Sequence, residues 1–224
     1  MLNNNHPHII IFSHGFGVRK DDNGLFLDIA RDLPECQPVM FDYYQVDEVA
    51  NTITVCSASE QVHKLKETIA RVRAEYPEAT IDLIGHSRGT VAIALAKPLG
   101  IRKIILLAPV LNSWEHSLRR YQARPDAIID LDGISVVPST KGLTKIIPAV
   151  YWQESRTIDP VAAFNGLAGN YEVTMLIANN DVLQPPIRLN ELDSKIKLEF
   201  LDGGHDFSGE NRPGLISRIR EILL

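Results

Sequence analysis

The order of apolar segments along the 224 residues predicts a single α/β domain, with about six mostly parallel strands and helices on both faces. Two observations carry this reading. Short runs that are apolar without alternation match strands covered on both sides, and between them lie stripes of helical period. Strand, helix, strand, repeated, is the signature of a parallel sheet.

The strand-like runs are His8 to Phe12, Pro38 to Phe41, Thr80 to Ile84, Lys103 to Leu107, Tyr171 to Ala178 and Lys197 to Leu201. A first helix is expected from Leu25, Phe26, Ile29, Ala30 and Leu33, behind Asp22 and Asn23 as capping residues. Val62, Leu65, Ile69 and Val72 form a longer stripe that begins near Ser57 and that Pro77 ends, and Leu215, Ile216, Ile219 and Leu223 form a last one behind Pro213. The segment at about 110–170 breaks the alternation. It is rich in Pro, Arg and aromatic residues, and reads as a cap insertion over one sheet edge: a helix near Trp114 to Gln122, then a hairpin of Ile134 to Val137 and Lys145 to Trp152 around a Ser-Thr-Lys-Gly turn.

Composition excludes several classes. An apolar fraction of 45% and a charged fraction of 23% are globular values. No segment approaches the roughly 18 apolar residues of a membrane span. Met1 to Pro7 has neither a basic nor an apolar signal region, so a cytoplasmic location is expected. The net charge of -5, with scattered basic residues, leaves no footprint for nucleic acid, and small neutral or apolar ligands are the expected partners. Cys36 and Cys56 read as two free thiols, and His6 and His8 as solvated residues rather than metal ligands; no metal site is expected.

The first strand opens into His14-Gly15-Phe16-Gly17. Two glycines after a strand could cradle a phosphate, but the third glycine of the dinucleotide fingerprint is missing, and so is the Gly-Lys-Ser/Thr of a P-loop. A different motif explains them. Gly85-His86-Ser87-Arg88-Gly89 fits Gly-x-Ser-x-Gly, directly after a strand and before an alanine-rich helix, where a sharp turn lifts Ser87 to the apex. The helix that follows aims its amides at the place where an oxyanion would form.

A serine needs a base, and the base an orienting carboxylate, in the chain order Ser, Asp or Glu, His. Of the histidines after Ser87, His116 falls on the insertion's helix, whereas His205 stands in a glycine-rich loop behind the last strand. Asp181 follows the preceding strand; Asp159, before a proline, reads as a helix cap, and Asp202 and Asp206 flank the histidine with side chains pointing apart. Ser87, Asp181 and His205 are therefore the candidate triad. The glycines at 15 and 17 then turn the Phe16 amide inward as one oxyanion donor, with Arg88 N-H as the other. His14 and His86 read as structural braces. Trp114, Tyr151 and Trp152 are candidates for lining a substrate pocket.

Together HGFG, GHSRG, Asp181 and GGH identify the chain as similar to the α/β-hydrolases over nearly its whole length. The "HGFGVRKDDNGLF" loop, with "DGISVV" and "KIIPAVYW" in the insertion, resembles the esterase branch that includes feruloyl and cinnamoyl esterases. The resemblance implies a short cap with a β-hairpin, hydrolysis of small carboxylic esters through an acyl-enzyme, and no cofactor. It departs from that branch at Asp42-Tyr43-Tyr44-Gln45, where Asp-x-Arg-Gly-x-Gly is common. Thioesters, lactones and small peptides fit the same triad, as does a non-catalytic binding role; serine at 87 excludes the carboxylate nucleophile of a dehalogenase.

Overall fold

A computed structural model describes residues 6–139, 142–185 and 187–224. Among them one sheet has six strands, all parallel: His8–Ser13 (β1), Cys36–Met40 (β2), Thr80–His86 (β5), Lys103–Leu107 (β6), Glu172–Ala178 (β9) and Lys197–Leu201 (β10), in the order β10-β9-β6-β5-β1-β2. Alternate residues serve opposite faces. Ile9 and Ile11 join one core with Leu83, Leu106 and Met175, while Ile10 and Phe12 join the other with Ile84, Leu107 and Leu176. Both faces are apolar because both are covered.

The helices Leu25–Arg31 (α1) and Arg212–Leu223 (α7) cover one face. The other is covered by Ala58–Glu75 (α2), Arg88–Ala96 (α3) and Pro160–Asn165 (α6). Ser57 caps α2, accepting from Glu60 N at 3.2 Å, and Asp159 caps α6 through Val161 N. Asp22 does not cap α1. Gly24 holds the N-cap position with φ +86°, and the Asp22 carboxylate is buried elsewhere.

A smaller sheet was not expected in full. Gln45–Asp47 (β3) and Thr52–Thr54 (β4) pair antiparallel; β4 pairs in parallel with Thr144–Pro148 (β8), and β8 antiparallel with Ile134–Val137 (β7). The short strands before α2 thus tie the 110–170 segment to the rest of the chain. The run Lys145 to Trp152 is only half strand. At Pro148 it becomes the helix Ala149–Ser155 (α5), because proline cannot donate to the ladder but suits a helix start, and Tyr151, Trp152 and Ser155 then bury at helical spacing. Trp114–Gln122 is helical as expected (α4). Thr140 and Lys141 of the expected turn, and Met1 to Asn5, lie outside the described residues.

His8 is a correction. Its Nε2 lies 2.6 Å from Asp82 Oδ2, and Asp82 also holds Arg102, so this histidine belongs to a part-buried polar cluster at the start of β1. Cys36 and Cys56 are free and buried. Among the described residues no helix is long and apolar enough to cross a membrane.

Candidate active site

Four loops at the carboxyl ends of β1, β5, β9 and β10 converge on Ser87, where open parallel sheets hold their ligands. Ser87 has φ +50° and ψ -122°, a strained conformation for a residue with a side chain. Its neighbours permit it. A Cβ on Gly89 would run into the Ser13 carbonyl oxygen, and one on Gly85 would sit 2.7 Å from Ile93 Cδ1. Only glycines let β1, the elbow and α3 pack this closely.

His205 Nε2 is 2.8 Å from Ser87 Oγ, and His205 Nδ1 is 2.7 Å from Asp181 Oδ2. The other Asp181 oxygen accepts from Leu183 N at 2.9 Å and Gln184 N at 2.7 Å, which orients the carboxylate. The three candidate triad residues therefore form one continuous hydrogen-bonded chain. His116 is remote from it in role: its Nε2 meets the Leu183 carbonyl. Asp159 is engaged by Arg188.

The loop after β1 lies against the elbow. A Cβ on Gly15 would be 3.3 Å from Ser87 Cβ, and Gly17 has φ +65°. Phe16 stands between these glycines, its ring 5.1 Å from that of Tyr151. Arg88 opens α3, so its N-H is one of the first-turn amides that lack a partner within the helix.

Two histidines hold these loops in opposite protonation states. Tyr43 N donates to His14 Nε2 at 2.9 Å, so the proton sits on Nδ1, which donates to the Gly15 carbonyl. Burial holds this imidazole below the usual histidine range. His86 faces two acceptors, Asp22 Oδ2 at 2.9 Å from Nδ1 and the His205 carbonyl at 3.0 Å from Nε2, which requires a proton on each nitrogen. Burial opposes that charge, but the Asp22 carboxylate overrides it and holds His86 up to about 9. In turn, the burial of Asp22 is outweighed by the His86 charge together with the hydrogen bonds from His86 and the Gly15 amide, which keep that carboxyl below its usual range. Asp22 also accepts the Gly15 amide at 2.8 Å. One buried ion pair thus ties the loop after β1 to the loop that carries His205.

His86, His205 and Asp206 bring potential ligand atoms within 4.8 Å of one another. The two His86 nitrogens are already committed to Asp22 and to a carbonyl, which leaves no lone pair for a metal.

A cavity of about 400 Å³ opens above Ser87, lined by the loop after β1, α4, the start of β8 and α5. Trp114 and Tyr151 stand in its wall, with Arg156 5.2 Å over the Trp114 ring. Trp152 also reaches the wall, but it is 1% exposed and its Nε1 donates to Ser135 Oγ, so most of its bulk lies in the core beneath α5. Sequence reasoning left out Asp22, whose part is fixed by contacts 7 and 64 residues away in the chain. It also left out the side chains of Arg88, Arg120 and Lys145, which line the same cavity.

The architecture recurs among solved structures. Est1E of Butyrivibrio proteoclasticus, solved with ferulic acid bound, is 16% identical with a TM-score of 0.69, over 99% of this chain and 90% of that one. An esterase of Pyrococcus furiosus is 14% identical, TM-score 0.69, over 99% and 82%. A monoacylglycerol lipase of Paleococcus ferrophilus is 17% identical, TM-score 0.65, over 97% and 95%. At such identities the likeness establishes the fold alone. No curated protein sequence matches the chain. Residues 1–117, just over half of the chain and including the loop after β1 and the Ser87 elbow, match the family described as α/β-hydrolase of unknown function, DUF900, and the chain belongs to that family.

Proposed function

We propose that the protein is a serine hydrolase of small to medium carboxylic esters, working through an acyl-enzyme without a cofactor. The observation that carries this reading is the unbroken chain from Asp181 through His205 to Ser87 Oγ at the apex of a strained elbow. His205 Nε2 takes the Ser87 proton as Oγ attacks the ester carbonyl carbon. The carbonyl π pair moves to oxygen, which the Phe16 and Arg88 amides receive. Collapse expels the alcohol, which takes its proton from His205. Water, deprotonated by His205, then repeats the sequence and frees the acid and Ser87. Each oxyanion donor is worth on the order of 3 kcal/mol in the transition state. Tyr151 and Trp114 bound the substrate cavity.

Hydrolysis of a 4-nitrophenyl ester series, acetate to dodecanoate, tests this reading with wild type and Ser87→Ala. Wild type should turn over the shorter esters. The variant should fall to background, since loss of a triad serine costs about 10⁶ in turnover. Activity that survives Ser87→Ala would reject the assignment.

A further inference from the structure

The net charge of -5 favours neutral or cationic ligands for the molecule as a whole, but the cavity above Ser87 has the opposite sign. Arg88, Arg120, Arg124 and Lys145 line it, against only two carboxylates, Asp22 and Asp206. Asp22 is committed to His86, and Asp206 is exposed beside His205. Arg124 is held by Asp126 outside the wall. Among the described residues Arg88, Arg120 and Lys145 have no carboxylate within ion-pair distance.

Arg88 is the central observation. It is 8% exposed, and its guanidinium lies 5.3 Å over the Tyr151 ring, yet Nε and Nη2 are buried without a hydrogen-bond partner. A ring face can attract the charge but cannot accept those N-H groups in their own plane, and an enclosed cation normally has an anion beside it. Lys145 reaches the same space from β8. Its stem crosses Gly17, where a Cβ would sit 2.5 Å from Cε and 2.7 Å from Cδ, so the glycine lets the lysine pass over the loop that carries Phe16. Burial, then the nearby Arg124 and Arg120 cations, hold its ammonium below the usual lysine range. Arg120, on α4, gives one N-H to the Leu183 carbonyl and one to the Tyr121 hydroxyl, keeps the rest of its five donors, and closes the group.

We propose that the substrate is an ester bearing an anionic group, carboxylate or phosphate, a few bonds from the scissile carbonyl, held by the side chains of Arg88, Lys145 and Arg120. This rests on the ester-hydrolase reading above. The distance follows from Arg88 serving twice: its amide faces the carbonyl oxygen and its guanidinium, one side-chain length away, meets the anion. A planar fork suits a carboxylate or phosphate in a way that a neutral acyl chain cannot use. The anion takes no part in bond making; it orients the acyl or alcohol half.

The test compares 4-nitrophenyl hemiadipate with its uncharged isostere, 4-nitrophenyl 6-methylheptanoate, and 4-carboxyphenyl acetate with 4-isopropylphenyl acetate. A charged hydrogen bond predicts kcat/KM at least about tenfold higher for the charged member of one pair, with an advantage that falls as salt rises. Lys145→Met and Arg120→Met should each cut that ratio severalfold; two variants are used so that one failing to fold leaves the other to read. If the uncharged esters are cleaved equally well or better, or the ratio ignores both substitutions, the anion site is overturned while the esterase reading stands. If no ester is turned over, the esterase reading fails, and binding of adipate and of inorganic phosphate to Ser87→Ala protein by calorimetry decides the site alone. Millimolar binding that Lys145→Met abolishes supports it, and the tighter of the two names carboxylate or phosphate. Absence of binding by both overturns it.

Discussion

At Asp181 a single oxygen does the orienting: Oδ2 faces His205 while Oδ1 is fixed by two backbone amides. Asp181→Asn should keep the fold but present an amide to Nδ1 and favour the wrong tautomer, lowering kcat by about 10³ to 10⁴ with KM little changed. Steady-state kinetics beside a melting curve would check it. The Asp22–His86 pair makes a different prediction, one of stability. The folded value of His86, about 9, lies above its usual 6.5, so its contribution is fully present below about pH 6.5 and is lost as pH rises through 9. Asp22 is depressed, so its contribution is present above its usual 3.8 and is lost as pH falls below it. The Tm advantage of wild type over the charge-free double variant Asp22→Asn/His86→Gln should shrink between pH 6.5 and 9. A constant gap would mean that His86 is neutral in the fold.

The elbow is an element-level property, because β5, the turn and α3 fit only as one unit. Gly89→Ala drives a methyl into the backbone of Ser13, the last residue of β1, and His14 beyond it, neither of which can yield without moving the loop after β1. Gly85→Ala meets the far end of Ile93, a flexible side chain. Denaturant midpoints should therefore rank Gly89→Ala below Gly85→Ala, with a cost for the former of about 3 kcal/mol or more against about 1 for the latter. Hydrolysis by Gly89→Ala should also collapse, since the displaced loop carries Phe16. The helix α5 teaches the complementary lesson. The run Lys145 to Trp152 is strand-like up to Pro148, and only the proline and the 3.6-residue spacing of Tyr151, Trp152 and Ser155 convert the rest to helix.

Across the whole molecule, one core cluster runs from the face of the parallel sheet through α2 and α3 to Ile53, Val137, Ile147 and Trp152 of the smaller sheet and α5. Ser59 on α2 adds two hydrogen bonds to Glu154 on α5, at 2.6 and 2.7 Å. The segment around the cavity should then melt with the rest of the chain, in one transition whose calorimetric and van't Hoff enthalpies agree. Trp152→Ala removes the largest fully buried side chain and leaves Ser135 Oγ with its Asp130 backbone partners alone, and should cost about 3 to 5 kcal/mol while preserving that single transition. Two separate transitions would make 110–170 an independent unit.

Local chemistry determined much of this protein from its sequence: both-face burial marks the six parallel strands, Ser57 and Asp159 mark two helix starts, and the spacing around Ser87 marks an elbow in which Gly89 has no substitute. Asp181 and His205 were legible because chain order and strand ends constrain where such residues can stand. Tertiary structure alone decided the rest. The strands β3 and β4 have three residues each, too few for a pattern, and exist because they pair with each other and β4 pairs with β8. Asp22 looks like a helix cap until His86 and the Gly15 amide come within 3 Å of it. The sign of the cavity is the clearest case: net charge is a sum over the chain, whereas a ligand meets only the charges that folding gathers around it, and here those are Arg88, Arg120 and Lys145.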